Sequence, residues 1–288
     1  MSVVLRSIAL WLALVGSAHA AEPVELDYRL RPERDLVSDQ VNENVITMRV
    51  LSDRGVVARS ATNGTSFPLT YHVVNRQRYR YTTGPAEADG SFRATVSVLS
   101  RRASLRLASG EEQPMPGQPE LDNLVFKATV DPERRLLQPA LVSEGGDAES
   151  REALKSVLAS VLEQAARIEP IRVAQDQAAQ QVVRMKVPLP GIAALDLKIT
   201  ASNRLVAVDD GVARVEMVYV MEFGVPDGPV KIDATGTGGG TMVYDIAAKI
   251  ARSVETNTLM TIVADVPDGT LEFQMNTRQT QKTQAAER

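Results

Sequence analysis

Apolar and polar residues alternate along most of this chain. Leu26, Tyr28 and Leu30 are separated by polar neighbours, as are Ile46, Met48 and Val50, then Phe92, Ala94, Val96 and Val98, and later Leu105 and Leu107. A period of two puts every second side chain on the same side of a pleated strand, so these segments predict strands with one buried and one wet face. The second half repeats the texture in Leu195, Leu197 and Ile199, in Val212 to Tyr219, and in Leu271, Phe273 and Met275. Asp53-Arg54-Gly55, Asn63-Gly64, Asp89-Gly90, Asp210-Gly211, Asp227-Gly228 and Asp268-Gly269 punctuate the strands with residues that tolerate positive φ, as hairpin bends require. Both halves predict antiparallel sheet.

One segment has a different period. From Asp147 to Ile168 the apolar residues Leu154, Val157, Leu158, Val161, Leu162, Ala165 and Ile168 recur at spacings of three and four, with Asp147 as N-cap and Pro170 barring continuation. This predicts an amphipathic helix of about five or six turns. Its apolar stripe must be covered, and the expected cover is the concave face of the sheet. The polar side carries Glu152, Glu163 and Gln164 beside Arg151, Lys155 and Arg167, not the basic excess of a membrane-surface helix.

The two sides of the helix echo one another. Asp131-Pro132-Glu133-Arg134-Arg135-Leu136 and Asp245-Ile246-Ala247-Ala248-Lys249-Ile250 each place an Asp, a short turn, a basic residue and an aliphatic one after an apolar strand. Gly90-Ser91-Phe92 and Gly211-Val212-Ala213 precede them at similar distances and each start a strand after Asp-Gly. The expected fold is therefore α+β and mainly antiparallel β. A strongly curved sheet or half barrel is built from two pseudo-repeats, about 21–146 and 171–275, joined by the helix at about 147–168 as one domain. Residues 276–288 are so hydrophilic that they predict a disordered tail.

Residues 1–20 read as a signal peptide: Arg6 supplies the positive charge, Ile8 to Val15 the short apolar run, and Ala18-His19-Ala20 the small-x-small cleavage pattern before Ala21. The apolar run is too short to span a bilayer, so a soluble periplasmic or secreted protein is expected. Without cysteine there is no disulfide, thiolate metal site or lipoprotein anchor. After cleavage His72 is the sole histidine, which excludes histidine-rich metal sites. Loss of Arg6 takes the net charge from −4 to about −5, and no basic patch is large enough to follow nucleic acid. The densest basic groups are Arg76, Arg78 and Arg80, and Arg101-Arg102. They read either as a solvated strand face or as a rim for anionic head groups.

No catalytic motif stands out. Gly236-Thr237-Gly238-Gly239-Gly240 lacks the βαβ context of a phosphate loop and runs into the β-branched and aromatic stretch Thr241 to Tyr244, so a flexible or bulged strand is expected. His72 lies in the strand-like Tyr71-His72-Val73 with no Gly-x-Ser-x-Gly elbow in the chain. Asp209-Asp210-Gly211 and Asp265-Val266-Pro267-Asp268-Gly269 lack the ligand ladder of a calcium loop and read as turns. No cofactor or metal is expected, and no enzyme.

The order of a strand-rich half, a helix ending in Ile168-Glu169-Pro170-Ile171-Arg172-Val173, a second strand-rich half and the closing Gly236-to-Asp245 pattern resembles the uncharacterised DUF6263-type family of exported bacterial proteins. Ala174-Gln175-Asp176-Gln177 stands where that family commonly has Gly, Asp and an aromatic residue. More distantly, the layout is similar to periplasmic lipoprotein and lipid carriers with half-open β barrels, which implies acyl-chain binding.

These readings converge on an exported, non-enzymatic protein that binds an apolar ligand or lipid between sheet and helix, lined by Leu154, Val157, Leu158, Val161 and Leu162. If the interior is packed solid, the same residues are core. The alternative is a structural or assembly factor that binds another envelope protein.

Overall fold

The computed structural model describes residues 22–62, 66–107, 109–115, 124–142, 168–189, 192–224 and 231–286, with Glu152, Lys155, Ser156, Ala159, Leu162 and Glu163 between them. β1 (Val24–Leu26) leads into the long strands β2 (Asp35–Asp53) and β3 (Leu69–Thr83), separated by the short helix α1 (Val56–Thr62). β4 (Phe92–Arg106), β5 (Glu112–Pro114), β6 (Val125–Val130) and β7 (Leu136–Val142) complete the first half. The second contains β8 (Ile171–Val173), β9 (Ala179–Leu189), β10 (Ile192–Asp209), β11 (Val212–Gly224), β12 (Lys231–Asp245), β13 (Ile250–Val266) and β14 (Gly269–Ala285).

A 12-stranded antiparallel sheet runs β7-β6-β4-β3-β2-β14-β13-β12-β11-β10-β9, with β5 beside β4, while β1 and β8 pair separately. The sheet is curved and unclosed, a half barrel in an α+β fold. Each half opens with a three-residue strand and continues as a meander of sequence neighbours. The halves meet where β14 pairs with β2.

That junction corrects the expected tail. Instead of disorder, β14 continues to Ala285, paired with β2 from Gly269↔Asp53 to Ala285↔Leu36. Its polar residues Thr277, Gln279, Gln281 and Thr283 lie opposite Asn44, Asn42, Gln40 and Ser38, an equally polar row. Thr277 donates to Asn44 at 2.8 Å, and the Ser38 and Thr283 hydroxyls meet at 3.1 Å. The backbone ladder and these side-chain bonds offset the desolvation that would otherwise keep such a segment in water.

Turn chemistry follows the sequence in part. Asp210 (φ 47°) and Gly211 (φ 74°) make the tight bend between β10 and β11, both in the left-handed region that a primed two-residue hairpin needs. Asp53 behaves otherwise: its carboxylate accepts the Gly55 and Val57 N–H groups and caps α1, so no hairpin forms there. Asp131 and Asp245 each hold a hairpin turn, accepting the Arg135 and Ala248 amides at 2.7 and 2.8 Å and binding the side chains of Arg135 and Arg252.

Register divides the sheet into an inner and an outer face, and the described core clusters lie on the inner one. Val24, Leu26 and Val173 of the β1–β8 pair cover Leu205, Val215, Met242 and Tyr244. Ala159 and Leu162, both helical, cover Val96, Phe126 and Ala128, and Leu30 covers Phe92, Ala94 and Val130. The packed end is closed further by Tyr244, whose hydroxyl accepts the Asp27 N–H at 3.0 Å and donates to the Asp27 carbonyl at 3.2 Å.

The glycine run is strand, as expected, but not where a bulge falls. Gly236 to Gly240 pair without interruption on both sides, and the irregularity between β12 and β13 comes at Val243/Tyr244. The missing side chains make room: a Cβ on Gly238 would strike the Tyr219 ring, which lies across the strand and bonds Thr258 through its hydroxyl at 2.5 Å.

Candidate functional site

Alternation decides the fate of the arginine run. Arg76, Arg78 and Arg80 all point outward from β3, while Gln77 and Tyr79 point inward. On the outer face Arg76 forms a bidentate pair with Glu112 (2.6 and 3.1 Å), Arg78 approaches Asp39 (3.6 Å) and Arg80 forms a bidentate pair with Asp35 (2.8 and 2.6 Å). Arg106 joins Glu43 and Glu112. Hydrogen bonds from Arg76, Arg106 and Ser104 hold the Glu112 carboxyl down at about 2. Arg76, Arg78 and Arg80, the residues of the anticipated anionic rim, thus stand in an ion-pair ladder with Glu112, Asp39 and Asp35.

The helix also departs from a ligand-lining role where it is described. Leu162 packs into the cluster with Val96 and Phe126, and the space it shares with Tyr81, Phe126 and Leu136 is only ≈ 10 Å³, room for a water at most. The interior there is packed solid. Burial in it pushes the Tyr81 phenol up to about 12. Leu154, Val157, Leu158 and Val161 lie outside the described residues.

Towards the other end of the same inner face the picture changes. Ile46, Met48 and Val50 on β2 register with Met275, Phe273 and Leu271 on β14, and these with Met260, Ile262 and Ala264 on β13. The surface continues through Ala234 on β12 to Met221 and Phe223 on β11. Apart from buried Ala234, these side chains remain half-buried, and none of the large ones belongs to a buried core cluster. At its edge a wholly apolar hollow of ≈ 260 Å³ is lined by Ile46, Tyr71, Val73, Leu105 and Met115. Hydrophobic alternation announced these strands, yet nothing local distinguishes an alternating strand that is later covered from one left open.

Buried Asp27 accepts hydrogen bonds from Arg29 (2.8 Å at both nitrogens) and from Arg31, and the Arg29 bonds foremost hold its carboxyl well below the usual range. His72 is exposed on the outer face of β3 opposite Val45. Among the described residues no group of three or more His, Asp or Glu is placed to hold a metal, and no helix is long and apolar enough to cross a membrane. The anticipated signal peptide lies outside the described residues.

No family model matches the chain, and no curated protein does. A solved structure named "Lipid-protein interactions in lipovitellin" is similar to it, with a TM-score of 0.46 and 8% identity, over 90% of this chain and 26% of that one. This chain therefore spans about a quarter of that protein's length.

Proposed function

We propose that this protein is a non-enzymatic, exported binding protein that takes an apolar ligand or lipid chain onto the open half of its inner face. The observation that carries the reading is the continuous uncharged surface centred on Met48, Phe273 and Ile262, which no described element covers. Apolar area left in water costs roughly 25 cal/mol per Å², so a surface of this kind favours whatever apolar partner covers it. The site differs from the one expected between sheet and helix, because that interface is filled where it is described.

Native mass spectrometry of the protein exported to a bacterial periplasm and purified without detergent tests this, followed by organic extraction. A stoichiometric apolar mass is expected, and Ile262→Lys should lose it while keeping the wild-type melting temperature. A bare protein mass would sink the proposal. It would favour the assembly-factor reading, for which β7 and β9, at the edges of an unclosed sheet, offer unpaired backbone to another envelope protein.

A further inference from the structure

Across the described inner rows of the 12-stranded sheet, side chains are apolar, amide, hydroxyl or phenol, apart from Asp53, which ends β2 and caps α1, and Arg101 on β4. Arg101 registers with Gln77 on β3, which registers with Gln40 on β2 and Gln281 on β14. It points inward because the register slips between Arg78 and Tyr79, so that Val98 and Arg101 share a face although they stand three positions apart. On the outer face Arg76, Arg80, Arg106 and Arg204 each pair with a carboxylate; Arg101 pairs with none among the described residues, and its Nε is buried without a hydrogen-bond partner there. A guanidinium so placed is costly unless a counter-charge arrives from elsewhere.

Geometry restricts where a counter-charge can reach it. Arg101 is four residues from Leu105 along the same strand, about 13 Å at the usual rise, and Leu105 lines the apolar hollow. Between them and the polar centre of β2 and β14 the inner face passes from apolar side chains to amides and hydroxyls within the reach of one acyl chain. We infer that the ligand is an anionic amphiphile, its chain on the open apolar half and its carboxylate or phosphate head group on Arg101, with Gln77 and Gln40 as further donors. This rests on the apolar-ligand reading above and assigns its polarity. The planar guanidinium fork suits a carboxylate or phosphate better than any neutral head group.

The test uses the full mature chain and two fluorescent probes of one chain length, cis-parinaric acid and its methyl ester. The acid should bind about tenfold tighter, as a charge-assisted contact implies. Arg101→Gln should reduce the acid to the level of the ester without weakening the ester, and Arg101→Lys should keep part of the preference. Equal binding of acid and ester by the wild type would overturn the head-group assignment while leaving the apolar reading standing; binding of neither would overturn both. Loss of acid and ester alike in Arg101→Gln would mean that Arg101 only supports the fold, against the inference. Displacement of the acid by millimolar inorganic phosphate would mark a free-anion site and overturn the amphiphile.

Discussion

On the outer face charge meets charge from strand to strand: Arg204 with Glu216, Lys198 with Glu222, Arg80 with Asp35. On the inner rows of the same strands the described residues include a single arginine and, at the far end of β2, the one carboxylate of Asp53, which caps α1. A second contrast lies within the inner face, where one end holds Phe126, Val215 and Tyr244 almost wholly out of water and the other leaves Phe273 and Met260 half-buried. The backbone ladder is common to all three regions, so stability differs with what packs on the sheet rather than with its hydrogen bonds. Exposed ion pairs contribute little, and the packed end of the inner face carries the fold.

The sharpest way to break this comparison is to truncate one phenylalanine at each end. Phe126→Ala, at a residue only 1% exposed, should cost about 3–5 kcal/mol in guanidinium denaturation. Phe273→Ala, on the open surface, should cost roughly 1 kcal/mol, since its side chain still meets water. Equal costs would mean that both ends are packed alike.

Next in size, Gly240→Ala puts a methyl group into the backbone of Glu255 on the adjacent strand and should cost about 1–3 kcal/mol, read as a lower melting temperature. No change would show that β12 and β13 can separate locally.

The Asp27 clamp sharpens the comparison through pH. Its carboxyl is lowered in the folded state, so the stability it lends is complete above the ordinary aspartate range and is lost as the pH falls through that range towards the folded value. Denaturation midpoints of wild type and Asp27→Asn should therefore differ most near pH 7 and converge on acidification. A gap constant with pH would remove the ionised carboxylate from the account. The smallest effect is expected outside: Glu216→Gln, which breaks the 2.6 Å pair with Arg204, should stay within about 0.5 kcal/mol of wild type.

Much of the fold was legible because alternation and turn chemistry are local. Ile46, Met48 and Val50 marked β2, and Asp210-Gly211 marked the hairpin bend between β10 and β11. Residues 276–285 misled because a strand polar on both faces has no periodic signal, and its partner Asn42 lies more than two hundred residues away. Arg101 left a trace. The apolar parity is even from Phe92 to Val98 and odd at Leu105, so one residue must be extra between them, and Arg101 falls on the inward count. Read without that change, strict alternation sends it outward.

The sequence by itself determined most of the strands, the apolar side of those that alternate, and where several of the hairpins turn, since these depend on residues within a few positions of one another. Only the tertiary structure decided that β14 seals against β2, that Leu162 is core, and that described elements cover the apolar face at one end and not at the other. Coverage depends on which distant element a face meets, and a period of two is the same whether that face meets a helix, a ligand or water.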